Sequence, residues 1–134
     1  MVASIAGHLR ILKSTESLNQ HLNPDLAMAE LDDIMHAFMS DVQAGVHFAN
    51  GWPGSNHGMT KLGVIKLAKI LARDHSSIVV NSCCPGWCQT DMSSHSGPRT
   101  AEEGARTVFL LATMPSSSNC PSGEFYENEA ISVW

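Results

Sequence analysis

The sequence predicts an α/β chain with an incomplete parallel sheet, and three observations carry that expectation. Helical and strand-like segments alternate along the 134 residues. Each full strand-like run is reached across a helix, as a parallel connection requires. Only two full strands can be read, too few to leave the sheet edges paired.

The elements follow in order. Met1-Val-Ala-Ser-Ile reads as the end of a buried strand with no room for the strand itself. Residues 13–23 are polar and read as a connection. Leu31, Ile34, Met35, Phe38 and Val42 recur at helical spacing, which predicts a helix from about residue 24 or 27 to 44, capped by Gly45. Glycines and Pro53 mark residues 45–58 as a loop. Met59, Leu62, Ile65, Leu67, Ile70 and Leu71 predict a helix over residues 55–73, with Lys61, Lys66 and Lys69 breaking its apolar surface. The β-branched run Ser77-Ile-Val-Val-Asn-Ser has the pattern of a strand buried in a parallel sheet, and Pro85-Gly86 ends it. Residues 89–99 form a polar loop. Thr100-Ala-Glu-Glu103 is a capping-box sequence that opens a further helix carrying Val108, Leu110 and Leu111. After a loop over residues 115–122, Gly123-Glu-Phe-Tyr-Glu reads as a last strand.

Composition excludes several classes of function. Eight Lys+Arg against thirteen Asp+Glu give a net charge of −5, which argues against binding nucleic acid or an anionic membrane. No apolar run approaches the roughly 20 residues of a membrane span. Residues 1–7 are too short and too poor in basic residues for a signal peptide, so the expected compartment is cytoplasmic. Cys83, Cys84, Cys88 and Cys120 do not follow zinc spacings or a C-x-x-C pair and read as reduced thiols, Cys83 or Cys84 being the one candidate for a regulatory thiol. The seven histidines form no metal-binding motif, and no metal is expected. Met28, Met35 and Met39 at helical spacing read as core.

Three patches carry chemistry. Val2-Ala-Ser4 closes the first strand-like segment. Gly51-Trp-Pro-Gly-Ser-Asn-His57-Gly-Met-Thr-Lys61 opens a helix with two polar groups one turn apart on a shared face. Asn81-Ser-Cys-Cys-Pro85-Gly86-Trp87-Cys-Gln-Thr90-Asp-Met92 follows the second strand. In this order they resemble the short-chain dehydrogenase/reductase family, and within it the carbonyl-reductase type. The inserted helix over about residues 24–44 and the ending from Gly123 to Trp134 are similar to that subgroup. The resemblance covers essentially all of residues 1–134, as a partial domain.

The resemblance implies a fold and a site. The fold is the C-terminal half of a Rossmann-like doubly wound parallel sheet, lacking the N-terminal dinucleotide-binding strands. Ser4 would hydrogen-bond the substrate carbonyl. Lys61 would lower the cost of ionising a neighbouring phenol and hold the cofactor ribose. Pro85, Gly86 and Thr90 would close over the nicotinamide of NADP(H), and Trp87 and Met92 would line the substrate pocket. The family carries Tyr where this sequence has His57. An imidazole is shorter than a phenol, and Lys61 one turn away disfavours a second positive charge on it.

No Thr-Gly-x-x-x-Gly-x-Gly turn is present to receive a pyrophosphate at a helix N-terminus. The resemblance therefore implies NADPH-dependent reduction of a small-molecule carbonyl (ketone, aldehyde or quinone) for the parent family. For this chain it implies a truncated product, inactive alone. The alternative is a non-enzymatic isoform or pseudoenzyme fragment that associates with protein through an exposed sheet edge.

Overall fold

A computed structural model of the chain describes residues 1–115 and 120–134. Its elements are helices α1 (Thr15–Leu22), α2 (Met28–Gln43), α3 (Asn56–Asp74) and α4 (Ala101–Thr113), and strands β1 (Ser82–Cys84), β2 (Phe125–Glu127) and β3 (Ala130–Ile131). Three short 3-10 turns, Ile5–Gly7, Leu9–Ile11 and Asp91–Ser93, complete the set.

Helix α3 is the centre of the molecule. Ser55 caps it by accepting from the Gly58 N–H at 2.9 Å. Met59, Leu62 and Ile70 pack with Leu31, Ile34 and Phe38 of α2, while Ile65 packs with Ala3, Cys84 and Phe125 on the sheet side. Burying each of these large side chains contributes about 1.5–3 kcal/mol. The loop between α2 and α3 is tied back by Asp41, which accepts from Asn50 Nδ2 at 2.8 Å and Trp52 Nε1 at 2.7 Å. Those two bonds hold the Asp41 carboxyl below its ordinary range.

The sheet has the order β1-β2-β3. Strand β1 runs parallel to β2, with Cys83 opposite Tyr126, and β3 returns antiparallel to β2. On the other side of β1, residues 1–3 run parallel to it through a bridge between Val2 and Cys83, closed by Ala3 N to Cys83 O at 2.8 Å and Cys83 N to Met1 O at 2.9 Å. Adjacent strand residues face opposite ways. Cys84 accordingly joins the α3 side of the core, whereas Cys83 borders Val108 and Leu111 of α4. Helices thus cover both faces of β1, as a doubly wound sheet requires. Helix α4 begins at the expected box: Thr100 Oγ1 accepts from Glu103 N at 3.2 Å and Glu103 Oε2 from Thr100 N at 2.8 Å.

Several expectations are corrected. Residues 13–23 hold α1, because Ser14 caps the segment and His21 is fully buried. The strand expected over residues 77–82 is confined to Ser82–Cys84, and Ile78 and Val79 are exposed, because among the described residues no helix or second strand covers them. The last strand is a hairpin, so the sheet is mixed: Asn128 and Glu129 both take positive φ (53° and 64°), and Glu129 N donates to Thr107 Oγ1 of α4 at 3.1 Å. Lys66, which interrupts the apolar surface of α3, is itself 4% exposed, its Nζ donating to Asn23 O. Met28 and Met39 are exposed, and of that stripe Met35 alone packs against the core. Part of the loop expected over 115–122 falls on residues 116–119, outside the described residues.

Buried His21 and half-buried His8 set a pH dependence. His21 Nδ1 meets Ser17 O at 2.8 Å, and its buried Nε2 has no partner among the described residues. Burial is the first cause that lowers its pKa below 6.5, and the same holds for His8. On acidification below about 6.5 the unfolded chain takes up protons that the folded chain refuses. Stability is therefore full above that pH and falls as pH drops toward the lowered folded values. Urea titrations at pH 7.5 and pH 5.5 should show the loss, and His21→Gln should reduce the slope. An unchanged slope would remove His21 from this account.

Candidate active site

Two parallel backbone segments deliver the expected residues to one end of the sheet. Ser4 follows residues 1–3 and Pro85 follows β1, so both lie at the carboxyl ends of neighbouring parallel segments. In open α/β sheets that end is where ligands are received. Helix α3 starts at the same place. Its first two turns press on the 3-10 turn Ile5–Gly7, a contact that only small residues allow. A Cβ on Gly7 would lie 2.4 Å from Leu62 N and 2.5 Å from Lys61 C, and a Cβ on Gly58 would lie 2.8 Å from Ala6 O.

This packing brings Lys61 to the segment that ends in Ser4. Lys61 Nζ donates to Val2 O at 3.2 Å, two residues before Ser4. Ser4 Oγ accepts from Ala6 N at 3.1 Å as the cap of the 3-10 turn, and its hydroxyl proton remains available. An ammonium next to a hydroxyl donor can hold an oxygen that is becoming anionic. His57 lies one helical turn before Lys61, exposed, with no hydrogen bond or ion pair among the described residues.

The loop after β1 has a defined shape. Gly86 takes φ +83°, a conformation that favours glycine, and the Arg99 side chain lies against it, with Nη1 2.6 Å from where a Cβ would be. Gln89 N donates to Arg99 O at 2.8 Å, and Arg99 Nη2 reaches Asn128 Oδ1. Cys88 Sγ lies where a side chain at Gly104 would be, so α4 packs directly under the loop. Thr90 N donates to Ser93 Oγ at 3.1 Å, while the Thr90 hydroxyl has no partner among the described residues. Burial raises the pKa of the Cys83 thiol, which opposes reactivity.

The structure brings Ser4, Lys61, Pro85 and Gly86 to one end of the sheet and leaves Thr90 farther along the same loop. Trp87 and Met92 are 63% and 97% exposed, so neither is walled into a pocket by the described residues. Arg99 is a residue that sequence reasoning missed. Its signal, a lone arginine in a polar loop, does not show that it lies under Gly86.

The nicotinamide cofactor that the resemblance implies would find partners at one end of this arrangement. Lys61, the Thr90 hydroxyl and the loop backbone are the polar groups that would meet its ribose and amide. The pyrophosphate has no counterpart among the described residues. The loop from β1 leads to the N-terminus of α4, where the Glu103 carboxylate already caps the backbone and Glu102 stands beside it. Two carboxylates there oppose a phosphate.

The strand-end position of these residues, on a sheet covered by helices on both faces, resembles the short-chain dehydrogenase/reductase fold. Similarity to solved structures agrees with it. Salutaridine reductase from Papaver somniferum superposes with a TM-score of 0.84 at 29% identity, over 93% of this chain and 43% of that one. Menthone neomenthol reductase from Mentha piperita shares the fold, with a TM-score of 0.75 at 21% identity over 95% and 39%.

More narrowly, the chain is a homologue of the carbonyl reductases of that family. It is 37% identical to carbonyl reductase (NADPH) 3 of Rattus norvegicus, over 99% of this chain and 50% of that protein. It is also 37% identical to carbonyl reductase (NADPH) 1 of Homo sapiens, over 94% and 48%. The chain thus spans about half the length of the curated relatives it matches. A comparison with protein-family models found no match. Among the described residues, no helix is long and apolar enough to cross a membrane.

Proposed function

We propose that this chain carries the carbonyl-activating and nicotinamide-facing elements of an NADPH-dependent carbonyl reductase, and that the 134-residue chain does not turn over by itself. What supports the proposal is that Lys61 Nζ donates to Val2 O in the segment ending at Ser4, at the carboxyl end of the sheet that also carries the Pro85-Gly86 loop. NADPH, when bound, supplies hydride to the carbonyl carbon of a ketone, aldehyde or quinone. Ser4 donates its hydroxyl proton in a hydrogen bond to the carbonyl oxygen, and the Lys61 ammonium favours the negative charge that develops there. Thr90 and the loop backbone orient the cofactor, and Trp87 and Met92 border the substrate. His57 occupies the proton donor's place, and its short, exposed ring makes proton delivery the weak step.

The residue assignment is tested in a fusion of this chain to the half of a carbonyl reductase that it does not match. In that fusion, with His57→Tyr in place, Ser4→Ala and Lys61→Met should each lower kcat for quinone reduction about 100-fold. Thr90→Ala should act on the KM for NADPH. Activity retained in both Ser4→Ala and Lys61→Met would defeat the assignment.

A second reading is favoured by a particular surface. Met1, Val2, Ile78 and Val79 are 42–55% exposed beside residues 1–3, whose side away from β1 has no strand partner among the described residues. Association with a second protein chain through that edge would cover them, without catalysis. Either reading suits a cytoplasmic protein, since all four cysteines are free thiols.

A further inference from the structure

A cleft of about 510 Å³ lies between the α1–α2 turn, the second half of α3 and the chain entering β2. Its walls include Lys66, Lys69, Arg73, Glu124 and Trp134. The catalytic proposal makes no use of it.

Its two lysines lack close counter-charges. Lys66 Nζ donates to Asn23 O at 2.6 Å, and Lys69 Nζ donates to Gly123 O at 2.9 Å. An ammonium has three donors, so each keeps two to spare. Among the described residues no carboxylate lies within 4.0 Å of either lysine. Arg73 is matched by Asp74 at 2.7 Å, and Glu124 borders the cleft without pairing with either lysine. Lys69 Nζ lies 5.6 Å from the centre of the Trp134 ring. Burial first, then the charges of Arg73 and Lys69, make Lys66 harder to keep protonated. A buried cation without a counter-charge is costly, and an anion in the cleft would relieve that cost.

We infer that this cleft binds a compact dianion, a phosphate monoester or a dicarboxylate, between the Lys66 and Lys69 ammonium groups and alongside Trp134. Two ammonium groups suit two negative charges, and the indole offers an apolar wall to the organic part of the ligand. The site is separate from Ser4 and Lys61 and does not depend on catalysis.

The full chain is titrated with inorganic phosphate and with succinate, against sodium chloride at equal ionic strength, following thermal unfolding. Saturable stabilisation by either dianion beyond that of chloride is expected, phosphate alone indicating a phosphate ligand and succinate alone a dicarboxylate. Lys69→Met and Lys66→Met should each weaken the apparent affinity about tenfold, while Arg106→Gln, outside the cleft, should not. Equal stabilisation by chloride, or unchanged affinity in both lysine variants, would overturn the inference. Should the variants fail to fold, NMR of the unaltered chain decides. Phosphate or succinate must then shift the Trp134 indole and the amides of Asn23 and Gly123, and shifts that are absent or lie elsewhere overturn it.

Discussion

Exchanging His57 for tyrosine is expected to raise carbonyl turnover about 100-fold in a fusion that supplies the unmatched half of a carbonyl reductase. The reason lies in the first turn of α3. Ser55 fixes the start of the helix, and Gly58 seats it against Ala6 O, so the backbone at residue 57 is already in place. Lys61 is one turn along, with its ammonium directed back toward Val2 O. A phenol at residue 57 would extend farther than the imidazole toward an oxygen held by Ser4, and the ammonium would favour its ionised form. The change adds a proton donor without asking the scaffold to move. Steady-state quinone reduction by the two fusions measures it, and equal kcat values would show that His57 is already a competent acid.

The largest effect on stability is expected from Gly7→Ala, at about 2–3 kcal/mol. The added methyl would lie 2.4 Å from Leu62 N and 2.5 Å from Lys61 C, both main-chain atoms inside a helix. Rotating a side chain cannot relieve that contact, so the 3-10 turn Ile5–Gly7 must lift away from α3. Ser4 caps that turn, so the same substitution would also move Ser4 relative to the start of α3. Urea unfolding should show a lower midpoint with little change in slope. A midpoint equal to that of the unaltered chain would mean that the turn and α3 are not in close contact in solution.

What could be read from the sequence, and what could not, follows from where the information lies. Helices α3 and α4 announce themselves locally, through Ser55 and the Thr100–Glu103 box, and α2 does so through Leu31, Ile34 and Phe38. Helix α1 carries only Leu18 and Leu22 as aliphatic residues, and its stability comes from the Ser14 cap and the burial of His21, which are tertiary facts. The β3 turn has no glycine; Asn128 and Glu129 are held at positive φ partly by Thr107, far away in sequence. Ile78 and Val79 look like buried strand because β-branched residues usually are, yet the described residues provide nothing to bury them. At the site, Ser4, Lys61 and Pro85-Gly86 are legible as ordered motifs. The roles of Gly7 and Arg99 arise only when α3 closes on the first 3-10 turn and the loop folds over the arginine.

The central proposal is that this chain would hold one end of a carbonyl-reducing site and would not complete the reaction alone. Titrating the purified 134-residue chain with NADPH, following nucleotide fluorescence and then quinone reduction, tests it most directly. The account predicts no saturable fluorescence change and no turnover. Saturable binding accompanied by turnover would contradict it.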